Sequence, residues 1–252
     1  MPKDLKKIKT YTSRKEGNSR KTLVNLLKNC PIPEAQLLSN LGLFLTSKDL
    51  ARILFFEHLF RQIVEVPGVV VEFGTRWGQN TALFSALRGI FDPFNRHRKI
   101  LGFDTFSGFL DISPQDGKSE MMVKGNLTLS KNYFNYLTKV LDIHEEVNPL
   151  SHIKKYELLK GDAEKELKRY LEKHPETIIA LVFFDFDLYK PTQKCLELIK
   201  PHFVKGSVIG FDELNDSDSP GETLALDEVF GLNNLKLKRY KFASRVSYFV
   251  LE

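Results

Sequence analysis

The sequence has few cysteines and no long apolar run, and these features argue against a disulfide-rich protein and against a membrane-spanning one. Cys30 and Cys195 are the two cysteines among 252 residues, and no C-x-x-C pair occurs. Neither a disulfide framework nor a thiolate metal site is therefore indicated. No stretch approaches the roughly 20 apolar residues of a membrane span, and the amino-terminal residues lack a signal-peptide core. We expect a cytoplasmic protein without stable membrane insertion, in which Cys195 lies on the buried face of a helix.

The positive charge is concentrated at one end of the chain. Residues 1–30 contain nine Lys or Arg and two acidic residues, a net charge of +7, while the whole chain carries +5. The remaining residues therefore carry about −2, whereas a nucleic-acid-binding protein normally has its basic stripe on the folded surface. The sequence argues against a nucleic-acid partner. It divides into a basic arm and helical extension over residues 1–66 and one domain over residues 67–252.

The extension contains two different patterns. Residues 3–21 are charged and poor in large apolar side chains, which predicts a frayed or weakly helical arm. From residue 47 to about 64 the apolar residues recur at helical spacing, which predicts an amphipathic helix capped by Thr46 or Ser47 with Asp49 in its first turn. Its phenylalanines favour packing in the core, and a lid or a dimer contact is the alternative.

The domain is organised around residues 69–81. Residues 69–71 are three valines, typical of a strand buried on both faces, and residues 82–87 follow with helical spacing. Between them, Gly74 and Gly78 permit a tight loop, and the free N–H groups that open the helix attract an anionic group. The loop lacks the third glycine of the dinucleotide fingerprint and the Gly-Lys ending of a phosphate loop. The spacing therefore argues against a dehydrogenase or a kinase.

Acidic residues follow the next two predicted strands. Asp104 ends a strand over residues 100–103, where its carboxylate can accept hydrogen bonds from two ribose hydroxyls. Asp162 follows a third strand over residues 156–160, and a helix is expected from residue 163 to 173. The long connection over residues 105–150 predicts a substrate lid that includes a helix near its carboxyl end.

Two further strands each end in a pair of acids. The apolar run 178–184 leads into Asp185 and Asp187, and the run 207–211 leads into Asp212 and Glu213. Parallel strands place such residues at the sheet edge where ligands bind. Carboxylates gathered there repel one another unless a cation lies between them, and oxygen ligands suit Mg²⁺. No histidine pair has zinc-ligand spacing, and the G-x-S-x-G motif of serine hydrolases is absent.

Five motifs in this order resemble the macrocin O-methyltransferase (TylF/MycF/NovP-type) family of S-adenosylmethionine-dependent sugar O-methyltransferases. They occupy residues 71–78, 102–109, 160–163, 185–192, and 211–213 with 221–228. The resemblance implies a class I methyltransferase Rossmann-like α/β fold, with a mostly parallel seven-stranded sheet, helices on both faces and an N-terminal helical extension. The chain departs from the family at Glu213, where Asp is usual, and at Phe109-Leu110, where the strand-two motif usually continues to Leu-Pro.

The resemblance also implies a set of ligand-binding residues. Glu72 would meet the ammonium side of S-adenosylmethionine, Asp104 its ribose and Asp162 its adenine. Asp185, Asp212 and Glu213 would hold Mg²⁺. The other implied cofactor-binding residues are Gly74, Thr75, Arg76, Gly78, Asn80, Ser107, Gly161, Ala163 and Asp185.

The expected reaction is Mg²⁺-assisted methyl transfer to a hydroxyl of a small sugar, which would be a deoxysugar, a nucleotide-linked sugar or a glycoside. Asp187 is the predicted general base, with Asp185 as the alternative. Asp187 could instead cap the helix that follows it. A metal-dependent methyltransferase acting on a catechol-like phenol and a non-catalytic S-adenosylmethionine-binding protein are the other hypotheses. The resemblance further implies a homodimer or a higher homo-oligomer formed through the N-terminal region.

Overall fold

The computed structural model describes residues 12–252, so the first part of the predicted basic arm lies outside the described residues. Seven strands form one sheet in the order β3-β2-β1-β4-β5-β7-β6. Neighbouring strands from β3 to β5 are parallel, whereas β7 runs antiparallel to both β5 and β6. The strands are β1 (Val69–Phe73), β2 (Ile100–Asp104), β3 (Tyr156–Lys160), β4 (Ile179–Phe184), β5 (Phe203–Phe211), β6 (Lys238–Arg239) and β7 (Ser247–Val250).

Helices cover both faces of the sheet. One apolar cluster joins one face of the sheet to α3, α4 and α5, and a second cluster joins the other face to α6, α7 and α8. Because β1 and β4 lie between the two clusters, every residue of these strands is buried. The helices are α1 (Arg14–Lys28), α2 (Glu34–Leu37), α3 (Ser47–Gln62), α4 (Gln79–Phe91), α5 (Tyr133–Glu146), α6 (Ala163–Lys173), α7 (Tyr189–Ile199) and α8 (Gly221–Phe230).

This arrangement confirms the predicted fold class. Three predicted elements, β1, β3 and α6, match the structure closely in their bounds. Strand β5 begins at Phe203, four residues before the predicted start at Ser207. Short 3₁₀ helices complete the connections at Leu38–Phe44, Pro114–Asp116, Lys200–His202 and Leu232–Asn234.

Helix α3 is part of the domain core. Thr46 caps it through a capping box with Asp49, which stabilises the helix start at the predicted position. Phe55, Phe56 and Phe60 on its inner face are fully buried in the first apolar cluster. Helix α3 is therefore fixed to the sheet, and any side chain on its inner face has a defined place relative to the strand ends.

The predicted lid segment consists of two parts with different packing. Helix α5 packs into the core through Leu137 and Leu141. It is also held by a buried ion-pair network in which Glu145 contacts Arg88 of α4 and Lys155 just before β3. The preceding residues, 105–132, are mostly loop, and several of them line the cavity described below. A lid role stays a prediction for this loop segment.

The first described helix, α1, begins within the segment for which the composition predicted a frayed or weakly helical arm. Ser13 caps it by accepting a hydrogen bond from the N–H of Glu16, and none of its residues is buried. The extension exposes Val24, Leu26, Leu38 and Leu43, and the homodimer through this region stays a prediction. None of the helices within residues 12–252 is both long and apolar enough to cross a membrane.

Candidate active site

The hydrogen-bond ladder of the sheet aligns the carboxyl ends of its central strands. Beyond the last strand residues, the N–H of Gly74 donates to Phe103, that of Asp185 to Phe73 and that of Asp212 to Phe184, at 2.9 to 3.0 Å. These bonds hold neighbouring strand ends level with one another. The acids that end β2, β4 and β5 consequently meet along one edge, as the sequence predicted.

A cavity of about 680 Å³ opens at this edge. The predicted site residues that do not line it are Glu72, Gly78, Ser107, Asp212 and Glu213. Its lining also includes residues that the sequence analysis did not single out, such as Arg52, Trp77 and Asp116. The predicted site residues that line it are Gly74, Thr75, Arg76, Asn80, Asp104, Gly161, Asp162, Ala163, Asp185 and Asp187.

The loop after β1 has a tightly constrained backbone. Gly74 has φ +85°, and a Cβ at this position would collide with the carbonyl oxygen of Asp185. Gly78 has φ +76° and lies against Leu137 of α5, so a side chain there would disturb helix packing rather than the cavity. Arg76 adopts the left-handed region without being a glycine, with φ +47°. The loop is therefore held in one conformation by its contacts with β4 and α5.

Glu72 is a fully buried acid with unused hydrogen-bonding capacity. Its Oε2 accepts a hydrogen bond from the hydroxyl of Thr81, while its Oε1 has no partner within residues 12–252. Burial raises the pKa of Glu72 from 4.5 to about 7, against the opposing effect of the neighbouring polar side chains of Thr81 and Asn80. A buried acceptor without a partner is costly, so this carboxyl is suited to an incoming donor.

Asp104 and Asp162 border the cavity, and both already bind backbone N–H groups. Asp104 accepts from the N–H of Arg76 at 2.7 Å and from that of Phe106 at 2.5 Å. Asp162 caps α6 by accepting from the N–H of Glu164. Each carboxylate oxygen has two lone pairs, so both residues can still accept a ligand hydrogen bond. Ser107 lies outside the cavity, where its N–H donates to the hydroxyl of Thr105.

Asp187 occupies a strained position at the end of β4. Its φ of +60° is unusual for a residue other than glycine, and its side chain is buried beside the cavity. It does not cap α7, because Leu188 is the cap residue and the first N–H, that of Tyr189, donates to Asp116 instead. The alternative that Asp187 caps this helix is therefore wrong. Burial and the neighbouring Asp212 raise the pKa of Asp187 to about 7.

Arg52 of α3 lies among the acids and was missed from the sequence. Its Nη2 donates to Asp185 Oδ2 at 3.0 Å, and its Nη1 donates to Asp212 Oδ1. The guanidinium carbon lies 5.3 Å from the ring centroid of Phe56 and 5.8 Å from that of Phe183. One cation thus bridges the ends of β4 and β5. Burial and repulsion from Asp212 still raise the pKa of Asp185 well above its usual range, although Arg52 opposes the shift.

The acid predicted to complete the metal site has its own partner. Glu213 is buried and forms an ion pair with Arg245. Beside it, the fully buried Glu222 accepts hydrogen bonds from the N–H of Phe186 at 3.0 Å and from the N–H of Glu213 at 3.4 Å. Burial raises the pKa of Glu222 well above its usual range. Glu222 therefore holds together the two loops that follow β4 and β5.

Solved structures similar to this chain include those of a methyltransferase of calicheamicin biosynthesis. The crystal structure of CalS11, described as a calicheamicin methyltransferase, is 39% identical, with 96% of this chain and 94% of that chain covered and a TM-score of 0.93. An apo structure of CalS11, described as a TDP-rhamnose 3'-O-methyltransferase, is 37% identical over 96% of both chains, with a TM-score of 0.85. The chain belongs to the sugar O-methyltransferase family. It is accordingly an S-adenosylmethionine-dependent methyltransferase, as the motifs predicted.

More distant structures share the fold. The O-methyltransferase NovP is 18% identical over 80% of both chains, with a TM-score of 0.59. An O-methyltransferase from Bacillus cereus in complex with SAH is 11% identical, with 93% of this chain and 91% of that chain covered and a TM-score of 0.50. No protein-family model matches the sequence, and a comparison with curated proteins finds no match.

The cavity of this sugar O-methyltransferase fits a methyl donor of the S-adenosylmethionine type. Two buried acceptors without partners within residues 12–252 are Glu72 Oε1, in β1, and Thr75 Oγ1, in the loop that follows β1. Asp104 and Asp162 border the same cavity, whose volume is within the range of small-molecule sites. The donor set therefore offers oxygen acceptors for an ammonium group, for hydroxyls and for an amino group.

The same residues do not fit a divalent cation as they are placed. Asp185 and Asp212 share Arg52, and Glu213 is paired with Arg245. Across residues 12–252 there is no group of three or more His, Cys, Asp or Glu side chains arranged to hold a metal ion. This arrangement does not support the predicted magnesium dependence, and we assign no step of the reaction to a metal.

The buried Glu72 predicts a pH-dependent loss of stability. Because its pKa is raised to about 7, the stabilisation that depends on its neutral form is complete below about pH 4.5. That stabilisation is lost as the pH rises through 7. Glu72→Gln lacks this loss, so its free energy of unfolding relative to wild type should increase by about 3 kcal/mol between pH 4 and 8.5. Urea unfolding across this pH range measures the difference.

The exposed Glu65, just before β1, gives the matched control. Glu65→Gln should follow the wild-type stability profile at every pH. Parallel profiles for Glu72→Gln and wild type would show that Glu72 is ionised in the folded protein at neutral pH.

Proposed function

We propose that this enzyme transfers the methyl group of S-adenosylmethionine to a hydroxyl of a nucleotide-linked deoxysugar. The observation that carries the proposal is the 37% identity, over 96% of both chains, to an enzyme described as a TDP-rhamnose 3'-O-methyltransferase. The cavity supports it, because acidic side chains for a donor and for an acceptor hydroxyl line one continuous space. Its volume of about 680 Å³ accommodates a donor and part of an acceptor together.

The donor would lie over the ends of β1, β2 and β3. We assign Glu72 and the loop after β1 to the amino-acid end of the donor, Asp104 to the ribose hydroxyls and Asp162 to the adenine amino group. Arg76 borders this part of the cavity, with its guanidinium carbon 5.7 Å from the ring centroid of Trp77, and would face the donor carboxylate. When bound, S-adenosylmethionine supplies an electrophilic methyl group on a positively charged sulfur.

Asp187 would act as the general base. Its carboxyl is buried beside the cavity and its strained backbone holds it there, so it can take the proton of an acceptor hydroxyl as the oxygen attacks the methyl carbon. A pKa near 7 is suited to exchanging a proton at neutral pH. Asp185 is less suited to this role, because one of its oxygens already binds Arg52.

The acceptor would lie towards α7 and the loop after β2. The loop contributes Leu110 and Ile112 to the lining, and α7 contributes Lys190 and Lys194. The apolar side chains suit a deoxysugar ring that lacks some hydroxyls, and the lysines supply positive charge for a diphosphate. This part of the site favours a nucleotide-linked sugar over a neutral phenol.

A comparison of acceptors tests the proposed function directly. With S-adenosylmethionine and magnesium present, TDP-rhamnose should yield S-adenosylhomocysteine at least tenfold faster than free rhamnose or catechol. Mass spectrometry of the products measures both the rate and the position of the methyl group. Faster turnover of catechol would favour a phenol methyltransferase. Donor binding without turnover of any acceptor would favour a non-catalytic binding protein.

Removing the proposed base tests the mechanism. Asp187→Asn should lower kcat by about 100-fold or more, because no carboxylate then takes the hydroxyl proton. The dissociation constant for S-adenosylhomocysteine, measured by calorimetry, should stay within twofold of wild type.

Glu172→Gln, which changes an exposed acid on helix α6 away from the cavity lining, should leave both quantities unchanged. If Asp187→Asn keeps more than half of the wild-type kcat, Asp187 is not the base. If it loses affinity for S-adenosylhomocysteine in parallel with kcat, Asp187 belongs to the donor site instead.

A further inference from the structure

Arg52 is an unusual residue in this site because it comes from the extension rather than from the loops after the strands. It reaches Asp185 from α3 across 133 positions of sequence and Asp212 across 160. Its side chain is 30% exposed, and those of Asp185 and Asp212 are 25% and 13% exposed. The contact is therefore partly shielded from water, where charge pairs are stronger than at an open surface.

Both terminal nitrogens of the Arg52 guanidinium group donate hydrogen bonds in this contact. Nη1 donates to Asp212 and Nη2 donates to Asp185, so the planar fork joins two carboxylates that would otherwise repel each other. Each oxygen that accepts from Arg52 directs a lone pair towards it. A divalent cation that bound the same two oxygens would compete with the guanidinium for them, and the positive charge of Arg52 would repel it.

The rest of the side chain is held in place by packing. Phe55 and Phe56, which follow Arg52 on α3, are fully buried, and the guanidinium lies near the rings of Phe56 and Phe183. A flexible surface arginine could swing away from an incoming ion with little loss. Arg52 would give up two charged hydrogen bonds and its contacts with two rings.

We infer that Arg52 is a built-in counter-cation for Asp185 and Asp212 and competes with divalent metal ions for these two carboxylates. The enzyme neutralises the acids at the ends of β4 and β5 with its own side chain, and the N-terminal extension thereby determines how tightly the site binds metal. The inference goes beyond the proposed function, because metal binding is measured without methyl transfer or an acceptor.

The experiment titrates Mn²⁺ into full-length, chelator-treated protein and follows free Mn²⁺ by electron paramagnetic resonance, with and without S-adenosylhomocysteine. Arg52→Gln should bind one Mn²⁺ at least tenfold more tightly than wild type, because the competing cation is gone. Adding Asp185→Asn to that variant should abolish the gain. Arg61→Gln, which removes an exposed arginine from the same helix, should bind Mn²⁺ as wild type does.

Thermal unfolding followed by circular dichroism checks that each variant is folded. Should Arg52→Gln fail to fold, Arg52→Lys gives a second measurement. A lysine keeps the charge but cannot join both carboxylates through a planar fork, so we expect Mn²⁺ binding at least threefold tighter than in wild type. Equal Mn²⁺ affinity in wild type and the folded Arg52 variant, in either the presence or the absence of S-adenosylhomocysteine, would overturn the inference. So would weaker binding by the variant.

Discussion

Repulsion between the carboxylates at the ends of β4 and β5 is the constraint on which the site depends. The sheet places Asp185 and Asp212 level with each other through the bond from the N–H of Asp212 to Phe184. Two such charges in a partly buried position destabilise each other unless a positive group lies nearby. In this structure Arg52 is that group. The placement of α3 is therefore part of the construction of the site.

This constraint gives the N-terminal extension a role in the chemistry. The phenylalanines of α3 pack into the same apolar cluster as Phe183 of β4, so the helix that carries Arg52 is fixed to the strand that leads into Asp185. Nearby, Glu222 binds the loops that follow β4 and β5. The positions of the acids consequently depend on packing and hydrogen bonds from three parts of the chain.

Local patterns were sufficient to predict most of the fold. The valines of β1, the capping box of α3 and the acid-terminated run of β4 each have a short-range signature. The early start of β5 has no such signature in the sequence. Three of residues 203–206 are partly buried, one is exposed, and the segment includes a glycine at φ +91°. Strand β6 has two exposed residues and, among the strands within residues 12–252, pairs with β7 alone, so its sequence carries no alternation to detect.

The site was predictable where it depends on strand order and unpredictable where it depends on distant contacts. Asp104, Asp162, Asp185 and Asp187 all border the cavity, as expected of residues that follow parallel strands. Arg52 escaped detection because its partners are more than a hundred positions away. The acids gathered at the strand ends need a nearby cation, and the sequence analysis predicted a metal ion for that role. In the structure Arg52, on a helix predicted to pack in the core, supplies the positive charge.

The most direct test of the account is a crystal structure of the enzyme with S-adenosylhomocysteine and TDP-rhamnose bound together. The account predicts that a carboxylate oxygen of Asp187 lies within hydrogen-bond distance of one sugar hydroxyl. It also predicts that the donor sulfur faces the oxygen of that hydroxyl. It also predicts the adenosyl group between Asp104 and Asp162. A complex in which Asp187 points away from the sugar, or in which the adenosyl group lies elsewhere, would contradict it.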